Sequence, residues 1–83
     1  MLDDSIKKAA KIVVGLKQTL RALENDEVQR IYFAKDADAL LIKPVLELAN
    51  SKQVEIYEVQ SMSELGRACG IKVGASVAAI LEF

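Results

Sequence analysis

The chain has 83 residues, 52% of them hydrophobic and 28% charged, and its formal net charge is −1. This composition excludes a disordered or low-complexity protein and predicts one globular domain over residues 1–83. The single cysteine excludes a disulfide within the chain, and the absence of histidine removes the commonest ligand of transition metals. The late apolar run from Ala75 to Leu81 is too short to span a bilayer, so we expect a cytoplasmic protein with neither a membrane nor a metal as partner.

The charges are separated along the chain. Residues 1–21 carry five basic and two acidic side chains, residues 22–66 carry four basic and nine acidic ones, and residues 67–83 return to a local charge of +1. A small protein with this distribution can present a basic edge to a polyanion in spite of its negative net charge.

Two helices are predicted in the N-terminal part of the chain. Apolar residues recur at spacings of three and four over residues 2–13, and Asp3 or Asp4 can cap the start of this helix. Gly15 ends it. A second helix is predicted over residues 17–25, with an apolar side formed by Leu16, Leu20 and Leu23.

The middle of the chain predicts two strands with a helix between them. Residues 28–34 become apolar on both alternating faces, as expected for a central strand, and a polar turn at 36–38 follows. Pro44 fits the first turn of a helix that runs to about residue 52, with residues 39–42 as a candidate preceding turn. Residues 54–59 alternate with one face less apolar, which favours a strand near an edge of the sheet.

A third helix–strand pair closes the chain. Ser61 and Glu64 have the spacing of a capping box, which predicts a helix over residues 61–70 that ends at Gly70. Gly74 then opens a strand over residues 75–82. Helices that alternate with strands across short loops indicate an α/β protein with an α/β/α layered domain.

The segment from Gly15 to Arg21 is the strongest candidate for a binding site. It places a glycine at a helix start and sets Lys17, Gln18 and Arg21 on one helical face, beside free backbone N–H groups and the positive end of the helix dipole. These donors suit phosphates and the acceptor edge of guanine. The same pattern also fits an ordinary solvated amphipathic helix.

The sequence contains no catalytic constellation. Asp36 and Asp38 follow a strand and could hold Mg²⁺, but acids at this place more often form turns or cap the next helix. Cys69 has no histidine to activate it, so we interpret it as a small buried residue. We therefore expect no enzyme, no catalytic residue and no cofactor.

The aromatic residues and the late glycines are interpreted as structural. The aromatics do not form the aromatic-rich sheet of an RNA-recognition motif, and we expect all four in the core: Tyr32, Phe33, Tyr57 and Phe83. The late glycines lack the Gly-Lys-Ser/Thr ending of a phosphate loop. We expect Gly70 to end a helix and Gly66 to permit the close approach of a loop or a ligand.

Three separated motifs resemble one known family. The segment from Gly15 to Arg21 resembles the Gly-x-Asn-Glu-x-x-Lys signature of the L-seven-Ae family of ribosomal kink-turn RNA-binding proteins. The segment from Val59 to Gly66 is similar to that family's Val-Pro-Ser-Lys-x-x-Leu-Gly loop, and the segment from Ala34 to Asp38 is similar to its Ala-x-Asp-x-Asp strand end. Lys43-Pro44 stands where many members carry Leu-Pro at a helix start. The resemblance covers nearly the whole chain and is closest to the small bacterial YbxF-type branch.

The resemblance implies a fold and a set of contacts. The fold is a three-layer α/β/α sandwich around a four-stranded mixed sheet, which grips the sharply bent RNA of a kink-turn at its tandem sheared G·A pairs. Val59, Met62 and Leu65 would offer an apolar surface to an unstacked base. The implied RNA-binding residues lie in the two longer motifs and at the strand end between them: Gly15, Lys17, Gln18, Arg21, Lys35, Val59, Gln60, Ser61, Met62, Leu65 and Gly66.

Two departures from the family pattern bear on affinity. Lys17 and Gln18 replace Asn and Glu, and Gln60 and Met62 replace Pro and Lys. A neutral amide accepts a guanine proton less strongly than a carboxylate does. We expect a monomer that binds a kink-turn in a structured RNA, such as ribosomal RNA or a riboswitch. The alternative is a protein-interaction module of the same fold that has lost RNA binding, which the net acidity and the altered pair favour.

Overall fold

A computed structural model describes residues 5–83, in which helices and strands alternate along the chain. The predicted capping of the first helix by Asp3 or Asp4 lies outside the described residues. The helices and strands are, in chain order, α1 (Ser5–Lys8), β1 (Lys11–Val14), α2 (Leu16–Glu24), β2 (Arg30–Ala34), α3 (Ala39–Ser51), β3 (Glu55–Val59), α4 (Met62–Ala68) and β4 (Val77–Glu82).

The four strands form one mixed sheet in the order β1-β4-β2-β3. Strand β2 runs parallel to β3, with Ile31 opposite Ile56, and antiparallel to β4. Strand β4 is also antiparallel to β1. The central position predicted for β2 and the edge position predicted for β3 are both confirmed.

Helices cover both faces of the sheet. On one face, Leu23 of α2 and Val45 of α3 pack in the same cluster as Ile31 of β2. On the other face, Ile6 of α1 and Leu65 of α4 pack in a second cluster with Tyr32, Ile80 and other sheet residues. Alternate residues of β2 therefore enter different cores, as the period of a strand requires. The predicted three-layer α/β/α sandwich is confirmed.

The predicted first helix is wrong in its second half. Helix α1 ends at Lys8, and residues 11–14 form strand β1. Ile12, Val13 and Val14 are β-branched, a residue class that favours strands, and they pair with the open side of β4. Pairing with β4 therefore decides the structure of this segment, in spite of the helical spacing of its apolar residues.

The predicted position of Pro44 is also wrong. Pro44 lies inside α3, which begins at Ala39 because the Asp38 carboxylate accepts a hydrogen bond of 2.9 Å from the Leu40 N–H. Proline cannot donate the backbone hydrogen bond to residue 40. Leu40 is 80% exposed, so water can bond to the carbonyl oxygen that is left without a helical partner.

Two of the aromatic side chains do not lie in the core as predicted. Tyr32 is fully buried, but Tyr57 is 37% and Phe83 59% exposed. Both rings stack against the guanidinium of Arg30, at 4.4 Å from the Tyr57 centroid and 5.0 Å from the Phe83 centroid. The cation–π contacts with Arg30 therefore hold both rings at the surface of the sheet.

Candidate nucleic-acid interface

One edge of the sheet collects the starts of α2, α3 and α4 and the carboxyl ends of β1, β2 and β3. We call it the carboxyl edge, because β2 and β3 end there and the antiparallel β4 begins there. The Gly15 N–H donates to the Val77 carbonyl oxygen over 2.9 Å, which fixes the start of α2 at this edge. The Lys35 N–H donates to the Val59 carbonyl oxygen over 2.8 Å, which joins the ends of β2 and β3.

Gly15 is the N-cap residue of α2, and its conformation requires glycine. Its φ of 100° is a value that side chains with a Cβ rarely adopt. Having no side chain, Gly15 cannot accept a hydrogen bond from the first turn as a serine or aspartate cap would. The first N–H groups of α2 therefore point out of the helix toward any anion at the carboxyl edge.

The exposed face of α2 carries the predicted donors. Lys17, Gln18 and Arg21 are exposed, whereas Thr19 and Leu23 are buried. The first turn contains no acidic residue, so Lys17 stands at the positive end of the helix dipole without compensation. A bound anion would relieve this unfavourable arrangement.

The cations of this edge make no ion pair with the part of the chain that the structure describes. Arg30 is paired with Glu55 and Lys52 with Asp26, but Lys17, Arg21 and Lys35 have no carboxylate partner among residues 5–83. Lys35 is exposed and directly follows β2. These three side chains are therefore available to a ligand.

The loop between β3 and α4 forms the other side of the candidate site. Gln60 is exposed, and Ser61 and Met62 are half-buried. The Ser61 hydroxyl oxygen accepts a hydrogen bond of 3.1 Å from the Glu64 N–H, which confirms the predicted cap. The topology thus brings this loop to the same edge as Lys35 and the start of α2, as the resemblance implies.

The predicted apolar surface on this loop needs correction. The side chains of Val59 and Leu65 are 3% and 0% exposed, because both point into the core beneath α4. Gly66 is also buried, and a Cβ built on it would lie 2.0 Å from the Val73 carbonyl oxygen. Its close neighbour is therefore a loop and not a ligand. Of the predicted apolar residues, Met62 alone keeps partial exposure.

Asp36 is a residue of this site that the sequence reasoning did not include. Its carboxylate accepts a hydrogen bond of 2.8 Å from the Met62 N–H, across 26 residues of sequence. Asp38, by contrast, caps the helix that follows it, as acids in such turns often do. No local pattern distinguishes the two aspartates, because the contact of Asp36 depends on the pairing of β2 with β3.

Other chemistry finds no support within residues 5–83. No group of three or more cysteine, aspartate or glutamate side chains there could hold a metal ion. Cys69 is half-buried, and burial raises the pKa of its thiol, so little reactive thiolate is present at neutral pH. In the same described range, no helix is long and apolar enough to cross a membrane.

A comparison with known proteins identifies the family. The ribosomal protein L7Ae/L30e/S12e/Gadd45 family matches residues 2–83. The chain belongs to this family. The match covers both long motifs of the candidate site, and membership confirms the resemblance drawn from them. The L7Ae family is non-enzymatic.

Individual relatives agree with this assignment. The chain is 49% identical over 78 residues to an RNA-binding protein of Bacillus pumilus, covering 94% of this chain and 95% of that one. It is 45% identical to RNA-binding protein YbxF of Geobacillus stearothermophilus, covering 95% and 96% of the two chains. The fold alone is similar to that of a solved structure, the Giardia lamblia 15.5kD RNA binding protein, with a TM-score of 0.85 at 24% identity over 96% of this chain and 70% of that one.

Proposed function

We propose that this chain binds RNA and recognises the bent form of a kink-turn through its carboxyl edge. The observation that carries the proposal is a set of exposed donors at this edge, whose three cations have no carboxylate partner within residues 5–83: Lys17, Gln18 and Arg21 on α2 and Lys35 after β2, with the segment from Gln60 to Met62 beside them. Relatives that are 45–49% identical over nearly their whole length are named RNA-binding proteins.

The geometry of an RNA helix explains why a bend is needed. A regular A-form helix has a deep and narrow major groove that side chains cannot read. A kink opens this groove and exposes base edges. The start of α2 then enters the opening, where the amide of Gln18 contacts guanine edges and Lys17 and Arg21 contact base acceptors or phosphates. Lys17 supplies charge that partly compensates for the weaker acceptor at Gln18.

Shape and not charge dominates the proposed recognition. The chain has a net charge of −1, and the three cations at the carboxyl edge that make no ion pair with residues 5–83 can neutralise only a few phosphates. The slope of log affinity against log salt should therefore be no steeper than about −3. An unbent duplex should bind poorly at physiological salt, because the base contacts that provide specific affinity are absent from it.

We infer a single domain that acts as a monomer in the cytoplasm, with a ribosomal RNA or a riboswitch as the class of target. Its mode of action is to shift a flexible RNA toward the kinked form, since a ligand moves an equilibrium by its differential affinity for the two states.

Energy transfer in a doubly labelled RNA tests the proposal. The RNA carries tandem G·A pairs, and its ends approach on kinking. Added protein should raise the transfer efficiency without Mg²⁺. The matched control is an RNA in which Watson–Crick pairs replace the G·A pairs, and here the rise should disappear. Equal affinity for the two RNAs would show that the protein binds RNA nonspecifically. Binding to neither RNA would favour the alternative, a protein-interaction module of the same fold.

A further inference from the structure

Two hydrogen bonds tie consecutive residues of the β2–α3 turn to the β3–α4 loop. The Lys35 N–H donates to the Val59 carbonyl oxygen over 2.8 Å, and the Asp36 carboxylate accepts from the Met62 N–H over 2.8 Å. Gln60 and Ser61 lie between the two tied positions. The loop is thus held at both of its ends by the turn that carries Lys35.

Met62 is held from its other side as well. The Ala75 N–H donates to the Met62 carbonyl oxygen over 3.0 Å. Gly74 lies so close that a Cβ built on it would be 3.1 Å from the Met62 Cβ. With its N–H bonded to Asp36 and its carbonyl oxygen bonded to Ala75, Met62 has both backbone polar groups fixed by segments outside its own helix.

We propose that Asp36 is a positioning residue for RNA binding, which holds Gln60 and Met62 in register with Lys35. This inference rests on the proposed function. An exposed carboxylate at an edge that binds a polyanion weakens binding by electrostatic repulsion. We therefore expect Asp36 to make a favourable contribution that compensates for this repulsion. The hydrogen bond to Met62 supplies this contribution, because a loop that is ordered before binding loses less conformational entropy when RNA binds.

Two substitutions separate the acceptor of Asp36 from its charge. Asp36→Asn keeps an acceptor oxygen and removes the charge, whereas Asp36→Ala removes both. The affinity of Asp36→Ala for a short kink-turn RNA should fall about fivefold to tenfold, the equivalent of one intramolecular hydrogen bond. Asp36→Asn should bind within about twofold of the parent. Hydrogen exchange of the Met62 amide, measured without RNA, should be fastest in Asp36→Ala and intermediate in Asp36→Asn, because a neutral amide oxygen accepts less strongly than a carboxylate.

A double-mutant cycle keeps the test independent of general stability. If Asp36 acts by presenting Gln60, then Gln60→Ala should weaken RNA binding less in the Asp36→Ala background than in the parent. Lys17→Ala lies on a different helix, and its effect should be the same in both backgrounds. Thermal unfolding confirms that all variants are folded at the temperature of the binding measurement.

The outcomes distinguish this inference from the proposed function. If the parent binds the kink-turn and Asp36→Ala binds as tightly or more tightly, the positioning role is wrong and the proposed function stands. Equal losses in Asp36→Ala and Asp36→Asn would assign the effect to charge and would also overturn it. If the parent itself does not prefer the kink-turn, the proposed function and the inference fail together.

Discussion

The two ends of the sheet use basic side chains in opposite ways. At the carboxyl edge, Arg21 is exposed and has no carboxylate partner within residues 5–83. At the other end, which we call the amino edge because β2 and β3 begin there, Arg30 stacks on two aromatic rings and donates to Glu55 and to the Tyr32 hydroxyl, each over 3.2 Å. The Tyr32 hydrogen bond also raises the pKa of the Arg30 guanidinium, so it is always charged.

The difference shows which basic residues the fold leaves available to a ligand. Arg30 donates hydrogen bonds within the protein, and Lys52 is paired with Asp26 at the same amino edge. Arg21 and Lys17 contribute little to folding, because exposed charges are well hydrated in either state. Their donors are available to RNA.

Gly66→Ala tests whether the carboxyl edge depends on the packing beneath it. The new Cβ would meet the Val73 carbonyl oxygen at 2.0 Å, and backbone atoms cannot rotate away as a side chain can. Overpacking costs about 1–3 kcal/mol and occasionally more. Because this contact is so short, we expect the free energy of unfolding to fall by about 3 kcal/mol. Urea unfolding measures it.

Gly70→Ala is the control for that experiment. Gly70 has a φ of +79° but open space around its Cα, so alanine should cost about 1–2 kcal/mol from backbone strain alone. If the two variants lose equal stability, the close contact between Gly66 and Val73 is not the determining feature.

Arg21→Ala tests the carboxyl edge directly. Removal of a good base contact should weaken kink-turn binding by about 1–3 kcal/mol, and Lys17→Ala should behave similarly. Lys8→Ala makes the same change of charge in the exposed part of α1, near Phe83 at the amino edge. It should leave the affinity nearly unchanged in a gel-shift titration. A loss of the same size in Lys8→Ala would show that charge alone determines binding.

Arg30→Met tests the amino edge in the reverse sense. The Arg30 side chain is 15% exposed. The substitution removes its contacts with two aromatic rings and its hydrogen bonds to Glu55 and Tyr32. The free energy of unfolding should fall by roughly 1–2 kcal/mol, with RNA affinity unchanged at a temperature where the variant is folded. A variant that keeps its stability and loses RNA binding would contradict the division between the two edges.

Cys69 gives the smallest expected effect. Burial raises the pKa of its thiol, so iodoacetamide at pH 8 should alkylate the native protein several-fold more slowly than the urea-unfolded protein. The neutral thiol is favoured in the fold. Its contribution to stability is complete below about pH 8.5, the unfolded pKa, and is lost as the pH rises through the folded value. Equal alkylation rates in the two states would show that this end of α4 opens readily.

Much of the local structure could be predicted from the sequence because its causes are local. The Ser61 cap, the start of α2 after Gly15 and the polar turn at 36–38 each depend on neighbouring residues. The helical face of Lys17, Gln18 and Arg21 follows from the helical repeat alone. These features supply most of the candidate site.

The errors arose where distant segments decide. Residues 11–14 form a strand because β4 offers them an unpaired edge. Pro44 is the exception, because a local contact decides: the Asp38 carboxylate caps a helix that begins at Ala39, five residues before Pro44. Val59 is buried beneath α4, and Leu65, a residue of α4 itself, is buried because it packs in the same core cluster, although the motif alone places both at a ligand.

By itself, the sequence determined which residues carry donors and charge, since side-chain chemistry and the helical and strand periods are properties of the chain. Only the tertiary structure decided which of those groups remain available. The carboxylates that pair with Arg30 and Lys52 come from segments far away in the sequence, and so does the Met62 N–H that donates to Asp36. Hydrogen bonds and ion pairs between segments far apart in sequence depend on how the sheet is ordered, and the pairing of its strands is a property of the whole fold.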